Sequence, residues 1–243
     1  MEWRDEALIL TARPFGENSK IVELLAAREG RAAGMVRGAR SKAMRALLQP
    51  GNKVSATWRG RLDDQLGTLQ LEMVEARAGL VMEWPWGAFG LQSIASILKY
   101  LPERDPHPRL YAAADALIEA FALPEAAGEA GVRFELIVLE EFGFGLDLAR
   151  CAATETTEDL GYVSPRSGRA VSRAAAGPYK ERLLPLPRFL TEGASADAQA
   201  VSDGFRLTGH FLATNVMGPV HKPIPEERER FVRAVVKAIA RRI

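Results

Sequence analysis

The sequence predicts an α+β protein: an N-terminal five-stranded β-barrel of the OB type, then an all-helical C-terminal domain carrying a small irregular insertion. Three observations carry this. From about Glu6 to Arg77, apolar residues recur with period two between turn formers. After Pro85 the period becomes helical. From about Cys151 to Leu190 neither period is present. The expected domains are residues 1–80 and 81–243, with the insertion at about 151–190.

The first part reads as a meander with strands near 6–14, 19–27, 31–38, 52–61 and 66–76. Gly16-Glu17-Asn18, Glu29-Gly30 and the Asp63-Asp64 loop supply turn residues between them. Ser41 to Leu48 forms a short helical stretch that Pro50-Gly51 stops. One helix after the third of five strands is the order of the OB barrel. Further on, Phe89, Ile94, Ile97, Leu98 and Leu101 recur at helical spacing before Pro102. Leu110, Ala114, Leu117, Ile118 and Phe121 do so before Pro124, and Val132, Leu136, Leu139 and Phe142 before Gly143. Phe205, Phe211, Leu212 and Val216 mark another helix. In the last, marked by Phe231, Val235, Val236 and Ile239, acids fill the first turn and bases the last, which suits the helix dipole. That accounts for much of the charge on Arg233, Lys237, Arg241 and Arg242, which otherwise extend a binding surface.

Composition excludes several classes. No stretch approaches the apolar length of a membrane helix, and the charged start is followed by too short an apolar run for a signal peptide, so a cytosolic protein is expected. The single cysteine, Cys151, permits no intrachain disulfide and no thiolate metal cage. There is no Walker lysine, no complete dinucleotide fingerprint and no Gly-x-Ser-x-Gly elbow. His107, His210 and His221 stand in no ligand spacing. We expect no enzyme, no cofactor and no metal.

The feature pointing to function is local charge. The chain has a formal net charge of only +1, yet between residues 28 and 61 Arg28, Arg31, Arg37, Arg40, Lys42, Arg45, Lys53, Arg59 and Arg61 face one acid, Glu29. A field depends on local charge density, so such a segment attracts phosphates despite the near-neutral sum. Strand parity sharpens the point. Lys53, Arg59 and Arg61 share a face opposite Val54, Ala56 and Trp58, while Arg31 and Arg37 lie opposite Ala32, Gly34 and Val36. Lys42 and Arg45, three apart on the short helix, add to the same surface. Gly60 can host a bulge that turns Arg61 away. An ordinary solvated strand face mixes Lys with Glu, and this one does not. Arg31, Arg37, Arg40, Lys42, Arg45, Lys53, Arg59 and Arg61 are therefore the expected nucleic-acid contacts, with Phe15 as a stacking candidate and Trp58 as core.

The order of motifs also resembles a known family. Phe15-Gly-Glu-Asn-Ser-Lys-Ile-Val22, Glu29-Gly30-Arg31, Val36-Arg-Gly-Ala-Arg40, Leu48-Gln-Pro50, Trp58-Arg-Gly-Arg61 and Gly67-Thr-Leu69 are similar to RecO, the bacterial recombination mediator. So, in the helical part, are Arg133-Phe-Glu-Leu136, Glu141-Phe-Gly-Phe-Gly145, Leu148-Ala-Arg-Cys151, Tyr162-Val-Ser-Pro165 and Ser167-Gly-Arg-Ala-Val171. The resemblance covers almost the whole chain. It implies a cytoplasmic, nucleoid-associated mediator that binds single- and double-stranded DNA and anneals complementary strands. It also implies that, with RecR, such a protein helps load RecA on strands coated by single-strand-binding protein. The acidic, phenylalanine-ended tail of that coating protein is expected on the helical domain, where Arg133 matches a basic residue implicated in the contact. Many relatives hold zinc with two Cys-x-x-Cys pairs; the matching positions here are Cys151 and Thr154, then Ser172 and Ala175. The insertion is thus zinc-finger-like but expected to be zinc-free, held by packing and hydrogen bonds around Tyr162 and Val171. Two other readings stay open: a scaffold whose basic barrel binds acidic protein segments, and a Mg²⁺-dependent nuclease built on Asp63 and Asp64.

Overall fold

In the computed structural model, which describes residues 1–60 and 66–242, five strands close into a barrel in the order β1-β2-β3-β5-β4. They are β1 (Glu2–Phe15), β2 (Ser19–Ala26), β3 (Gly30–Arg37), β4 (Lys53–Arg59) and β5 (Thr68–Glu75). A helix, α1 (Lys42–Leu47), follows β3, so the expected OB-type order is present. Pairing is antiparallel except where β3 meets β5 in parallel at Met35 and Thr68. Ile9, Val22, Leu24, Val36, Val54, Trp58 and Leu69 fill the lumen from alternate positions of their strands. The first strand begins four residues earlier than its alternation suggests. Glu2 to Asp5 pair with Arg59 to Ala56, and Trp3 stacks on Trp58 with ring centroids 6.3 Å apart. Cross-strand partners, not local hydrophobicity, hold this charged end in the sheet.

Asp5 is buried and accepts hydrogen bonds from the Arg28 and Glu29 backbone amides at 2.6 and 3.3 Å, clamping the turn between β2 and β3. Gly30 ends that turn with φ +70°, and a Cβ there would fall on the Asp105 carbonyl. Only glycine satisfies both the dihedral and the close approach.

The chain divides into two compact units, Met1–Glu119 and Ala120–Ile243. Besides the barrel, the first unit holds α2 (Ala78–Glu83), α3 (Pro85–Leu98) and α4 (Pro108–Ala120). Leu8 and Leu25 point away from the lumen and are nevertheless fully buried, and α3 packs on β1. Part of the outer barrel wall is thus an interface and not a solvated face.

The second unit is built on α5 (Pro124–Glu141), α7 (Ala198–Phe211) and α8 (Glu226–Ala240). Phe231 meets Phe121 and Phe205 edge to face at 6.3 and 5.6 Å. Of the stripe expected on α5, Val132 and Leu139 are fully buried, joined by Phe134 and Val138, while Leu136 and Phe142 stay partly exposed. The insertion contains a small sheet of order β7-β6-β8, with β6 (Leu160–Val163), β7 (Ala170–Ser172) and β8 (Leu184–Pro185), and a single turn of helix, α6 (Arg173–Ala176). Strands of two to four residues are too short to display a period, which is why the sequence there reads as irregular. Among the described residues no helix is long and apolar enough to cross a membrane.

Candidate nucleic-acid interface

The end of β3 leads into α1 through a tight turn at Gly38, φ +67°, and the Ser41 side chain caps the helix by accepting from the Met44 amide at 3.2 Å. Asn52, buried where β4 begins, anchors the far end. Its side-chain amide donates to the Ala46 and Leu47 carbonyls at 2.9 and 3.1 Å, and its oxygen accepts from the Arg77 and Ala78 amides. The helix therefore stands on the barrel with no buried residue of its own. It presents Lys42 and Arg45 to solvent beside Arg37 and Arg40, all four exposed. Among the described residues, none of these four has a carboxylate within ion-pairing distance.

Two grooves open on this surface. One of 440 Å³ lies between the β1–β2 turn and α1, where Lys20, Arg40 and Arg45 share the lining with Pro14, Ser19 and a single acid, Glu17. The other, of 520 Å³, lies between β3, α1 and β5, where Arg37 stands beside Met35, Met44 and Leu71. Like charges with little to neutralise them give a positive potential at the groove mouths, suited to a phosphate backbone. Phe15, at the end of β1, is 49% exposed, as a stacking candidate must be. Trp58 is core: its indole N–H donates to the Ala33 carbonyl at 3.2 Å.

The remaining residues of the basic run are placed differently. Arg31 is 13% exposed, donates to the Leu101 carbonyl and pairs with Glu103, both at 3.3 Å. Lys53 is 15% exposed, with its ammonium 2.9 Å from Asp115 and 3.3 Å from Glu6. Burial opposes that charge, but the two carboxylates outweigh it and hold the lysine above its ordinary range. Arg59 is 51% exposed yet bound to Glu2 at 2.9 Å and to the Gln70 side chain at 3.1 Å. All three lie on the outer parity, as expected, and all three are engaged by acids or carbonyls. Arg61 lies outside the described residues, as do Asp63 and Asp64. The structure thus brings together Arg37, Arg40, Lys42 and Arg45 and adds Lys20, which a count along residues 28–61 could not include. The signal for Lys20 was its register: it pairs with Pro14 on β1 and Val36 on β3, next to the cluster.

Arg133 sits on α5, 47% exposed. It donates to Glu129 at 2.9 Å and to the Phe189 carbonyl at 2.8 Å. A groove of 310 Å³ begins one turn further along the helix, lined by Leu136, Ile137, Glu140, Leu146 and Leu148. The groove is mostly apolar with one acid, Glu140, and Arg133 does not line it: its guanidinium is committed to Glu129 and the Phe189 carbonyl.

At the four positions matching a zinc knuckle stand one thiol, two hydroxyls and a methyl, which do not fit a tetrahedral zinc site. Among the described residues no group of three or more His, Cys, Asp or Glu side chains could hold a metal. Instead Cys151 is fully buried and its sulfur accepts from the Ser172 amide at 3.3 Å, while the Ser172 hydroxyl caps α6. Tyr162 and Val171 are register partners in the small sheet, and the Arg173 guanidinium lies 5.9 Å from the Tyr162 ring. Burial raises the thiol pKa, but hydrogen bonds from Thr154 and Ser172 prevail and bring it to about 6. A thiol depressed in the fold stabilises it fully above the unfolded value, and that stability is lost as pH falls through the folded one. Wild-type thermal stability relative to Cys151→Ala is therefore expected to rise between pH 6 and 9 in metal-free protein. A flat difference, or stoichiometric zinc by elemental analysis, would contradict this account.

The chain is similar to known proteins along its whole length. A family model described as the N terminal of recombination protein O matches residues 1–77, and the corresponding C-terminal model matches residues 89–223. The DNA repair protein RecO of Mesorhizobium japonicum is 48% identical, covering 100% of this chain and 96% of its own length. That of Agrobacterium fabrum shows the same figures. The protein of the same name from Xanthobacter autotrophicus is 49% identical over 99% of both chains.

Proposed function

The chain belongs to the RecO family of DNA repair proteins, and from that premise we propose that it is a recombination mediator which captures DNA electrostatically on its barrel. The carrying observation is the set of four exposed cations, Arg37, Arg40, Lys42 and Arg45, that no carboxylate among the described residues neutralises. Phosphates of single- or double-stranded DNA run past this surface with bases toward Phe15, so that complementary strands meet and anneal. The helical unit takes the acidic, aromatic-ended tail of single-strand-binding protein on α5, where Arg133 lies one turn before the apolar groove, and with RecR the complex exposes the strand to RecA. No covalent chemistry is involved. The protein holds, delivers and releases.

The test is anisotropy of a labelled single-stranded oligonucleotide across a salt series, followed by addition of the complementary strand. Four phosphate contacts give a slope of log K against log salt of about −3, with accelerated annealing. Absence of binding at low salt would remove the reading. A second reading, an acidic protein segment on the barrel, is favoured by the apolar Met35, Met44 and Leu71 next to Arg37. Under that reading a glutamate-rich peptide, and not the oligonucleotide, occupies the surface, and direct competition between the two separates them.

A further inference from the structure

The last helix carries a second cationic surface that the barrel does not account for. Arg228, Phe231, Val235 and Ile239 are buried on one side of α8, while Arg230, Arg233, Lys237 and Arg241 are exposed and lie on the opposite side by helical geometry. Arg230 is bound to Glu226 at 2.7 Å and Arg242 to Glu125 at 3.2 Å. Among the described residues Arg233, Lys237 and Arg241 have no carboxylate within ion-pairing distance. From residue 230 to 242 the sequence contains no acid at all. The helix dipole explains bases only in the last turn, which leaves Arg233, in the middle of the helix, outside its reach.

We propose that the exposed face of α8 is a second binding site for a nucleic-acid phosphate backbone. Arg233, Lys237 and Arg241 stand at i, i+4 and i+8, so successive cations are about 6 Å apart along the axis, near the spacing of consecutive phosphates on an extended strand. The row turns by only about 40° round the axis per step, all three residues are exposed, and small residues, Ala234, Ala238 and Ala240, lie next to them in the sequence. A strand presents one charge per nucleotide at a near-regular repeat, and this row matches that repeat; an acidic helix with the same spacing is the competitor that the peptide arm of the test separates. The site rests on the reading that the chain binds DNA and adds a place for a second strand, which annealing needs.

The test compares three full-length proteins: the parent, Arg233→Gln/Lys237→Gln/Arg241→Gln, and Arg37→Gln/Arg40→Gln/Lys42→Gln/Arg45→Gln, each checked by circular dichroism. Binding stoichiometry of a short labelled oligonucleotide and the rate of strand annealing are measured. The α8 variant is expected to bind one oligonucleotide where the parent binds two and to anneal about tenfold more slowly. The barrel variant is expected to retain one weak, salt-sensitive site. Parental stoichiometry and annealing in the α8 variant would overturn the inference while leaving the barrel assignment intact. Loss of all binding in the α8 variant, with binding unchanged in the barrel variant, would instead support the ridge and remove the barrel site. Unchanged DNA binding in the α8 variant with lost binding of a glutamate-rich peptide would make the ridge a protein dock and overturn the proposal. No DNA binding by the parent would end both.

Discussion

Replacing Arg37, Arg40, Lys42 and Arg45 together with glutamine is expected to weaken single-strand binding by on the order of a hundredfold at moderate salt, equally for all sequences. The four are exposed, unneutralised and gathered on one side of the barrel by the turn at Gly38 and the cap at Ser41. Phosphate contacts of this kind release counterions, so the salt slope should flatten by about 3. Arg59→Gln supplies the contrast. Its charge is already paired with Glu2, and affinity should stay within about twofold of wild type, since a neutralised cation adds little field. Lys53→Met should act on stability, because it removes the mostly buried ammonium that joins Asp115 to Glu6 and leaves Arg77 as the remaining cation on Asp115. If Arg59→Gln weakened binding as strongly as Arg40→Gln, the whole basic run and not the α1 cluster would be the interface.

The largest effect on stability is expected at Glu135. This carboxylate is buried in the second unit and meets the Arg228 guanidinium through two bonds of 2.7 and 2.8 Å, while the Thr208 hydroxyl donates to it at 2.5 Å. Arg228 also donates to the Phe205 carbonyl at 2.7 Å, so one cluster ties α5, α7 and α8 together. Burial disfavours the Arg228 charge, and the Glu135 carboxylate restores it. Removing one partner leaves a buried charge unmatched, and Glu135→Leu or Arg228→Met is expected to cost about 3–5 kcal/mol in urea unfolding. The double variant should recover much of that loss, since two apolar side chains need no compensation. A double variant as unstable as the sum of the two singles would show that each residue acts through separate contacts.

Much of the barrel was legible because its cause is local. Alternation in β3 and β4 put Val36, Val54 and Trp58 inside and Arg31, Arg37, Lys53 and Arg59 outside, and the described residues follow that parity throughout. Besides the short strands of the insertion, two places were not legible. The β1 entrance, Glu2 to Asp5, has no apolar alternation and depends on partners more than fifty residues away on β4. The α5 stripe is wider than its spacing suggests: the helix packs on both α7 and α8, and Phe134 and Val138 are buried along with the expected Val132 and Leu139.

The sequence by itself determined the period of the barrel and of the main helices, the parity of β3 and β4 and the shortage of acids between residues 28 and 61. These depend on neighbours in the chain. Which cations remain free for a polyanion was decided by tertiary structure alone. Arg31, Lys53 and Arg59 are matched by Glu103, Asp115 and Glu2, acids that a charge count along one segment never meets. Arg37, Arg40, Lys42 and Arg45 meet none among the described residues. Coulomb attraction is set by distance in space and by the water between charges, and folding rewrites both.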